Sequence, residues 1–206
     1  MVAVLLAENS FKLISIDLRF YKNWRYMDME FNALNEARLS VRDFNGQAVS
    51  EDLLRQMVAA AQQAPSWKNS QTTRYYCICT PEKVAEFREK VLPGFNQNST
   101  AKAGAYVVST YVKNRAGFDR EGNADNEIGN GWGAYDLGLH DMTLTLKAKD
   151  LGLETLIMGL RDADAIRQMC GVSDAEEVMS VIAVGYADAV PNKPVRKPLE
   201  DVAKFF

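Results

Sequence analysis

The sequence predicts an α+β domain built as mixed α/β layers. Three observations point there. Strand-like apolar runs and amphipathic helical stretches alternate through most of the chain, which is the pattern of a layered architecture. Hydrophobic residues make up 47% of the 206, enough for a substantial core. No internal repeat or convincing linker divides the chain, so its length fits one large domain or one protomer of an intertwined dimer.

Composition removes several functional classes. A net charge of −3 and a pI of about 5.3 argue against a general nucleic-acid binder, which needs a basic face, but leave room for a local basic pocket. No apolar run reaches the length of a membrane span, so no membrane partner is expected. The opening Met1-Val-Ala-Val-Leu-Leu-Ala7 lacks a basic leading region and reads as a poor signal peptide. Three cysteines, Cys77, Cys79 and Cys170, follow no framework spacing, so reduced thiols and a cytoplasmic setting are expected. In that setting the acceptor-like Asn98-Ser99-Thr100 carries no meaning.

The elements follow in order. Residues 1–26 mix apolar and basic residues without a sustained period, and Met27 and Met29 offer alternative starts. The expectation is a peripheral extension from an upstream, non-native start, with residues 27–206 as the domain proper. An arm that wraps a partner subunit is the competing reading. Asp28 to Ala37 reads as a short helix with Phe31, Leu34 and Ala37 on one side. Ser50 caps a stronger helix whose first turn holds Glu51 and Asp52, where acids complement the helix dipole. Leu53, Leu54, Met57, Val58 and Ala61 form its apolar stripe, and Pro65 stops it. Arg74 to Thr80 reads as a strand. Thr80-Pro81 then opens a helix with Val84, Phe87 and Val91 buried, ended by Pro93-Gly94.

Ala105 to Val112 reads as a strand, and Lys113 to Gly131 as a long charged loop of the kind that serves as a lid. Trp132 to Asp150 is the longest expected helix. Its apolar residues spread round most of its surface, so it is expected to be central or to lie at a subunit interface. His140, the only histidine, is expected in the core or at that interface, and no second His or Cys stands at metal-ligand spacing. A short strand over Leu153 to Met158 ends at Gly159, a helix starts at Asp162 and ends near Cys170-Gly171, and Val178 to Tyr186 is a buried strand. Pro191, Pro194 and Pro198 hold the tail extended before a last short helix from Leu199.

Three stretches carry candidate chemistry. In Arg38-Leu39-Ser40-Val41-Arg42, two guanidinium groups and one hydroxyl stand at every second position, so on an extended backbone they share one side. A fork of fixed positive donors suits a phosphate. An ordinary basic turn at a helix end is the alternative. Ala64-Pro65-Ser66-Trp67-Lys68-Asn69-Ser70-Gln71 is dense in groups that both donate and accept, as the edge of a flat heterocycle requires, though a capped turn would look the same. Phe95 to Thr100 is a second amide-rich stretch. Gly129 to Gly133 is not a dinucleotide fingerprint, since it lacks the preceding strand and the spacing.

Taken in order, these pieces resemble the FMN-dependent nitroreductase family. The resemblance rests on Arg38-Leu-Ser-Val-Arg-Asp-Phe44, Val49-Ser50-Glu51, Ala64-Pro65-Ser66, Asn69-Ser70-Gln71, Ala148 to Gly159, Val184-Gly185-Tyr186 and Arg196-Lys197-Pro198-Leu199-Glu200, over about residues 30–206. It implies a central, mostly antiparallel sheet flanked by helices, and an intertwined homodimer with two FMN sites at its interface. Arg38, Ser40 and Arg42 would match residues near the phosphate. Pro65, Ser66, Asn69 and Gln71 would match the loop along the ring, and Asn96 an amide at the ring edge. Met158 and Gly159 would give backbone contacts near the reactive nitrogen. Arg196, with Lys197, would match the C-terminal phosphate contact. Phe118 is a candidate ring over the flavin on the substrate side. The implied activity is reduction of nitroaromatics, quinones or similar acceptors by NADH or NADPH, with chemistry carried by FMN and no catalytic side chain. Activated-alkene reduction, dehalogenation and a non-catalytic flavin-storing or sensing role stay open. Two positions depart from the family pattern: Thr72-Thr73 stands where a Pro-Trp pair is common, and Leu39 replaces a basic residue.

Overall fold

A computed structural model describes residues 30–189 and 191–206. The extension expected over residues 1–26, Met27, and residues 28–29 at the start of the first expected helix lie outside the described residues. The described chain folds as α1 (Phe31–Ala37), α2 (Glu51–Ala61), β1 (Thr73–Ile78), α3 (Pro81–Val91), α4 (Gly94–Ser99), β2 (Ala105–Val112), α5 (Gly131–Asp150), β3 (Glu154–Met158), α6 (Ala163–Cys170) and β4 (Glu176–Gly185). Single 3₁₀ turns stand at Trp67–Asn69 and Leu199–Asp201, the second in place of the expected final helix.

The strands form one antiparallel sheet in the order β1-β2-β4-β3. Its central strands, β2 and β4, are buried on both faces, which is why their sequences read as unbroken apolar runs. Side chains alternate between the faces. Tyr106 and Val108 of β2, Leu156 and Met158 of β3, and Val181 and Ala183 of β4 meet Val84, Phe87 and Val91 of α3 and Ile166 of α6. Ala105 and Val107 of β2, with Ile182 and Val184 of β4, meet Leu54, Met57 and Ala61 of α2 and Leu144 and Ala148 of α5. The molecule is therefore three layers, with helices on both faces of the sheet. A register shift between Ser109 and Thr110 opposite β4 changes the alternation, so Val178 points to the same side as Val181.

The helix ends follow the sequence signals. The Ser50 hydroxyl accepts the Leu53 N–H at the start of α2. Asp162 accepts the N–H groups of Asp164 and Ala165 at the start of α6, and Gly171 at φ 66° closes it. The amide-rich Phe95 to Thr100 stretch holds α4 rather than an irregular turn. Thr100 locks its end, donating from Oγ1 to the Asn96 carbonyl and pairing with the Tyr106 hydroxyl at 2.8 Å. Among the described residues, no helix is long and apolar enough to cross a membrane.

Candidate functional site

The Arg38–Arg42 segment lies along the free edge of β3. The Val41 N–H donates to the Thr155 carbonyl at 3.0 Å, and Ser40 forms a parallel bridge with Thr155. Leu39 and Val41 are buried, whereas Ser40 and Arg42 are exposed and Arg38 is half-buried. The two guanidinium groups and the hydroxyl thus share the outward side, as alternation requires. Phe44 anchors the segment beyond: a Cβ on Gly185 would stand 2.8 Å from its ring, so only glycine fits there. The Asn45 N–H then donates to the Tyr186 carbonyl at 2.8 Å. Among the described residues neither Arg38 nor Arg42 has a carboxylate partner, and the Arg38 Nε is buried without a hydrogen bond.

At the end of β3 the Met158 side chain is buried in the core, which leaves only its backbone to face a ligand. Gly159 is exposed, and nothing lies within 4 Å of where its Cβ would stand. Asn96, buried in α4, donates from Nδ2 to the Leu160 carbonyl at 2.8 Å. The sequence treated Asn96 and Gly159 as separate candidates; the fold joins them, with the Asn96 amide holding the turn that displays Gly159.

The second group stands at the opposite edge of the sheet, where the Ala64–Gln71 loop feeds β1. The Ser66 hydroxyl accepts the Gln71 N–H at 3.0 Å and closes the loop on itself. Lys68, Asn69 and Gln71 all have positive φ, at 46°, 54° and 49°. Left-handed backbone at non-glycine residues costs on the order of 1 kcal/mol each and collects where function fixes a loop. Three ties keep it there. The Trp67 N–H donates to Asp136 Oδ2 at 2.9 Å, the Trp67 ring packs on Trp132 at 4.5 Å between centroids, and Lys68 pairs with Asp125 at 2.8 Å. Burial pushes the Asp136 carboxyl above its ordinary value, and the Trp67 N–H opposes that shift. The Trp67 Nε1 and the hydroxyls of Ser70, Thr72 and Thr73 are buried without partners. Pro65 and Asn69 are exposed on the same loop.

Sequence reasoning missed Asp125, Trp132 and Asp136. Nothing in their spacing marks them, because Asp125 reaches the loop from within residues 113–130 and Trp132 and Asp136 from beyond them. That long segment is pinned rather than free. Asn130 bonds Asn114 through both backbone and side chain, and Trp132 Nε1 donates to Asn126 at 2.9 Å. Phe118 is half-buried, with its ring end 3.8 Å from where a Gly129 Cβ would stand.

The tail is the third group. Arg196 and Lys197 are exposed, and among the described residues the Arg196 guanidinium reaches only the Pro194 carbonyl, at 3.4 Å. One protomer therefore sets Arg38, Ser40 and Arg42 alongside Thr155 of β3, and Met158 and Gly159 at the end of the same strand, where Asn96 holds the turn. It holds Pro65, Ser66, Asn69 and Gln71 at the β1 edge, three strand spacings or about 14 Å away. The donor set fits a flavin mononucleotide in kind: unneutralised guanidinium groups for a phosphate, an open glycine for a close approach, and orphaned polar atoms along a rigid loop. Among the described residues, no cluster of His, Cys, Asp or Glu could hold a metal ion.

The nitroreductase family model matches residues 36–186, from the end of α1 through β4. Among solved structures, an oxidoreductase containing FMN is 25% identical, with a TM-score of 0.72 over 86% of this chain and 92% of its own. A nitroreductase-type protein from Exiguobacterium sibiricum, solved in complex with FMN, is 22% identical with a TM-score of 0.73, covering 85% of this chain and 97% of its own. An enone reductase of gut-bacterial fatty acid saturation is 21% identical with a TM-score of 0.75, covering 86% and 98%. At such identities the last two share the fold. No curated protein sequence matches the chain.

Proposed function

Since the chain belongs to the nitroreductase family, we propose that it is an FMN-dependent oxidoreductase that takes electrons from NADH or NADPH and passes them to nitroaromatics, quinones or related small acceptors. The observation that carries this reading is the outward face of Arg38, Ser40 and Arg42, which has no carboxylate partner among the described residues and lies along β3, the strand that ends at the open Gly159. FMN, when bound, supplies the electron-transfer chemistry itself. The chain's work is to hold and bias it. Arg38, Ser40 and Arg42 bind the phosphate end, with Arg196 and Lys197 joining from the tail. A guanidinium near the pyrimidine side favours the reduced ring, which gains negative charge there. Asn96 fixes the Gly159 turn, and Pro65, Ser66, Asn69 and Gln71 lie along the ring.

The reading includes a homodimer, with the second protomer supplying the Ala64–Gln71 loop. Two features support it. The β3-edge group and the Ala64–Gln71 loop stand at opposite edges of the sheet, with β2 and β4 between them. On α5, Tyr135, Leu139, Met142 and Leu146 form an apolar stripe at helical spacing on the side away from the sheet, with Gly138 between them open to a close neighbour. The three free thiols suit a cytoplasmic protein.

The test is an absorption spectrum of the purified protein, followed by anaerobic titration with NADPH and with NADH. A yellow protein bleached by either nicotinamide, with steady nicotinamide oxidation once menadione or a nitrofuran is added, is the expected result. A yellow protein that neither nicotinamide reduces would instead be a flavin-storing or sensing protein. A colourless protein that takes up no FMN ends the flavin reading.

A further inference from the structure

The turn that follows β3 is held by side chains as much as by backbone. Met158 and Val181 are the last β3–β4 pair. The ladder stops close to a bulge in β4: Ser180 faces Ser109 and Val178 faces Thr110, so Met179 is passed over. Beyond that bulge the Arg161 guanidinium takes over, donating from Nη2 to the Val178 carbonyl at 2.5 Å. Two more bonds hold the same turn. Asn96 Nδ2 donates to the Leu160 carbonyl, and the Asp162 N–H donates to the carbonyl of Val91, the last residue of α3, each at 2.8 Å. Residues 160, 161 and 162 are thus tied in succession to α4, β4 and α3. Gly159, just before them, stays exposed.

Stability alone does not account for Arg161. The side chain is half-buried, its Nε is buried without a hydrogen bond, and among the described residues it has no carboxylate partner. The neighbouring Asp162 carboxylate is occupied at the start of α6, where it accepts from Asp164 and Ala165. A cation left in that state costs folding energy. What an arginine adds there is a long, planar, permanently charged donor that reaches a carbonyl on another strand. The gain is a fixed turn, and the residue that turn displays is Gly159.

We propose that Arg161 is a positioning residue for the flavin: by clamping the turn to β4 it fixes the Gly159 backbone that faces the ring. The role rests on the flavin reading and names how the chain biases the ring it holds. Reduction adds negative charge to the ring, and a backbone N–H fixed beside it favours the reduced form, whereas a turn free to swing loses that bias.

Hydrogen exchange and potentiometry on the full chain test it. Arg161→Met keeps most of the side-chain stem and removes the donor. Without FMN it should speed exchange at the Asp162 amide about tenfold, the loss of one charge-assisted hydrogen bond, and leave the amides of β2 protected. With FMN it should lower the two-electron potential of the bound flavin by about 30 mV, a tenfold loss of preference for reduced over oxidised FMN. Arg161→Lys, which keeps a charged donor, should recover at least half of both shifts. Unchanged exchange would mean that no clamp exists and would overturn the proposal whether or not FMN binds. Faster exchange with an unchanged potential would make Arg161 a brace of the fold and overturn it as well. A wild-type chain that takes up no FMN, with the exchange difference still present, would overturn the flavin reading itself and the positioning role with it.

Discussion

Asp141 projects from the buried side of α5 with both carboxylate oxygens occupied, one by the Tyr75 hydroxyl at 3.0 Å and the other by the Ser109 hydroxyl at 2.9 Å, and Ser109 in turn pairs with Ser180. Those bonds favour the ionised form, yet burial outweighs them and pushes the carboxyl up to about 6. In the unfolded chain the same group ionises near 3.8. The folded state therefore keeps this proton when the unfolded state has lost it, and stability falls as the pH rises from about 4 to about 6, then levels off. Asp141→Asn removes the charge and keeps groups that can meet Tyr75 and Ser109. It should stabilise the protein by up to about 3 kcal/mol at pH 7 and have little effect at pH 4. Urea unfolding at the two pH values reads this directly; an equal effect at both would mean that packing and not charge sets the cost. The phosphate assignment is also tested at this scale. Arg38→Ala should weaken FMN retention about tenfold, whereas Phe118→Ala, whose ring packs back on its own loop, should change it little. Equal retention in a flavin-release assay would count against the Arg38 face.

Element by element, the sequence was most legible where burial alone decides. β2 reads as a strand at its observed limits, Ala105–Val112, because both faces are apolar. β4 starts at Glu176, two residues before the apolar run begins, because the buried Glu176 carboxylate takes the Thr110 hydroxyl from the adjacent β2 and the Tyr76 hydroxyl, at 3.0 Å, from β1 beyond it. No local pattern announces such a partner. α4 was hidden for a related reason: its Asn-rich sequence has weak helix propensity, and tertiary bonds from Thr100 and Leu160 hold it. In the candidate site the alternation of Arg38, Ser40 and Arg42 was readable from period alone, whereas the ties to Asp125, Trp132 and Asp136 were not, because they join residues far apart in the chain. The start of α5 carries two of those ties and crosses β2 closely. A Cβ on Gly133 would stand 2.4 Å from Tyr111 Cδ2, so Gly133→Ala must displace the helix or the ring. The gain in helix propensity recovers about 1 kcal/mol of that strain, and a net loss of about 1–2 kcal/mol in urea unfolding is expected. A stabilised variant would show that this crossing is looser than its geometry.

At the scale of the whole molecule, the proposed dimer would give α5 a place in two assemblies at once. Its sheet-facing side, with Leu137, Leu144 and Ala148, builds the protomer core, and its outer stripe is exposed at Tyr135 and Met142 and only partly covered at Leu139 and Leu146. A helix apolar on both sides needs both covered, and a second copy presents the same stripe in a self-complementary way about a two-fold axis. If the second copy also supplies the Ala64–Gln71 loop, then flavin binding and dimerisation are linked, and each stabilises the other. Met142→Lys places a charge in the stripe at a position 39% exposed, so the protomer itself should fold unchanged. The dimer should not survive the burial of two unpaired ammonium groups across the axis. Size-exclusion chromatography with light scattering should then find a monomer, and its flavin content should fall with its oligomeric state. Wild-type protein, diluted below its dimer dissociation constant, should release flavin in the same way. A monomeric variant that keeps a full complement of FMN would mean that one protomer completes the site alone, with the tail cations and the β3 edge sufficient to hold the cofactor.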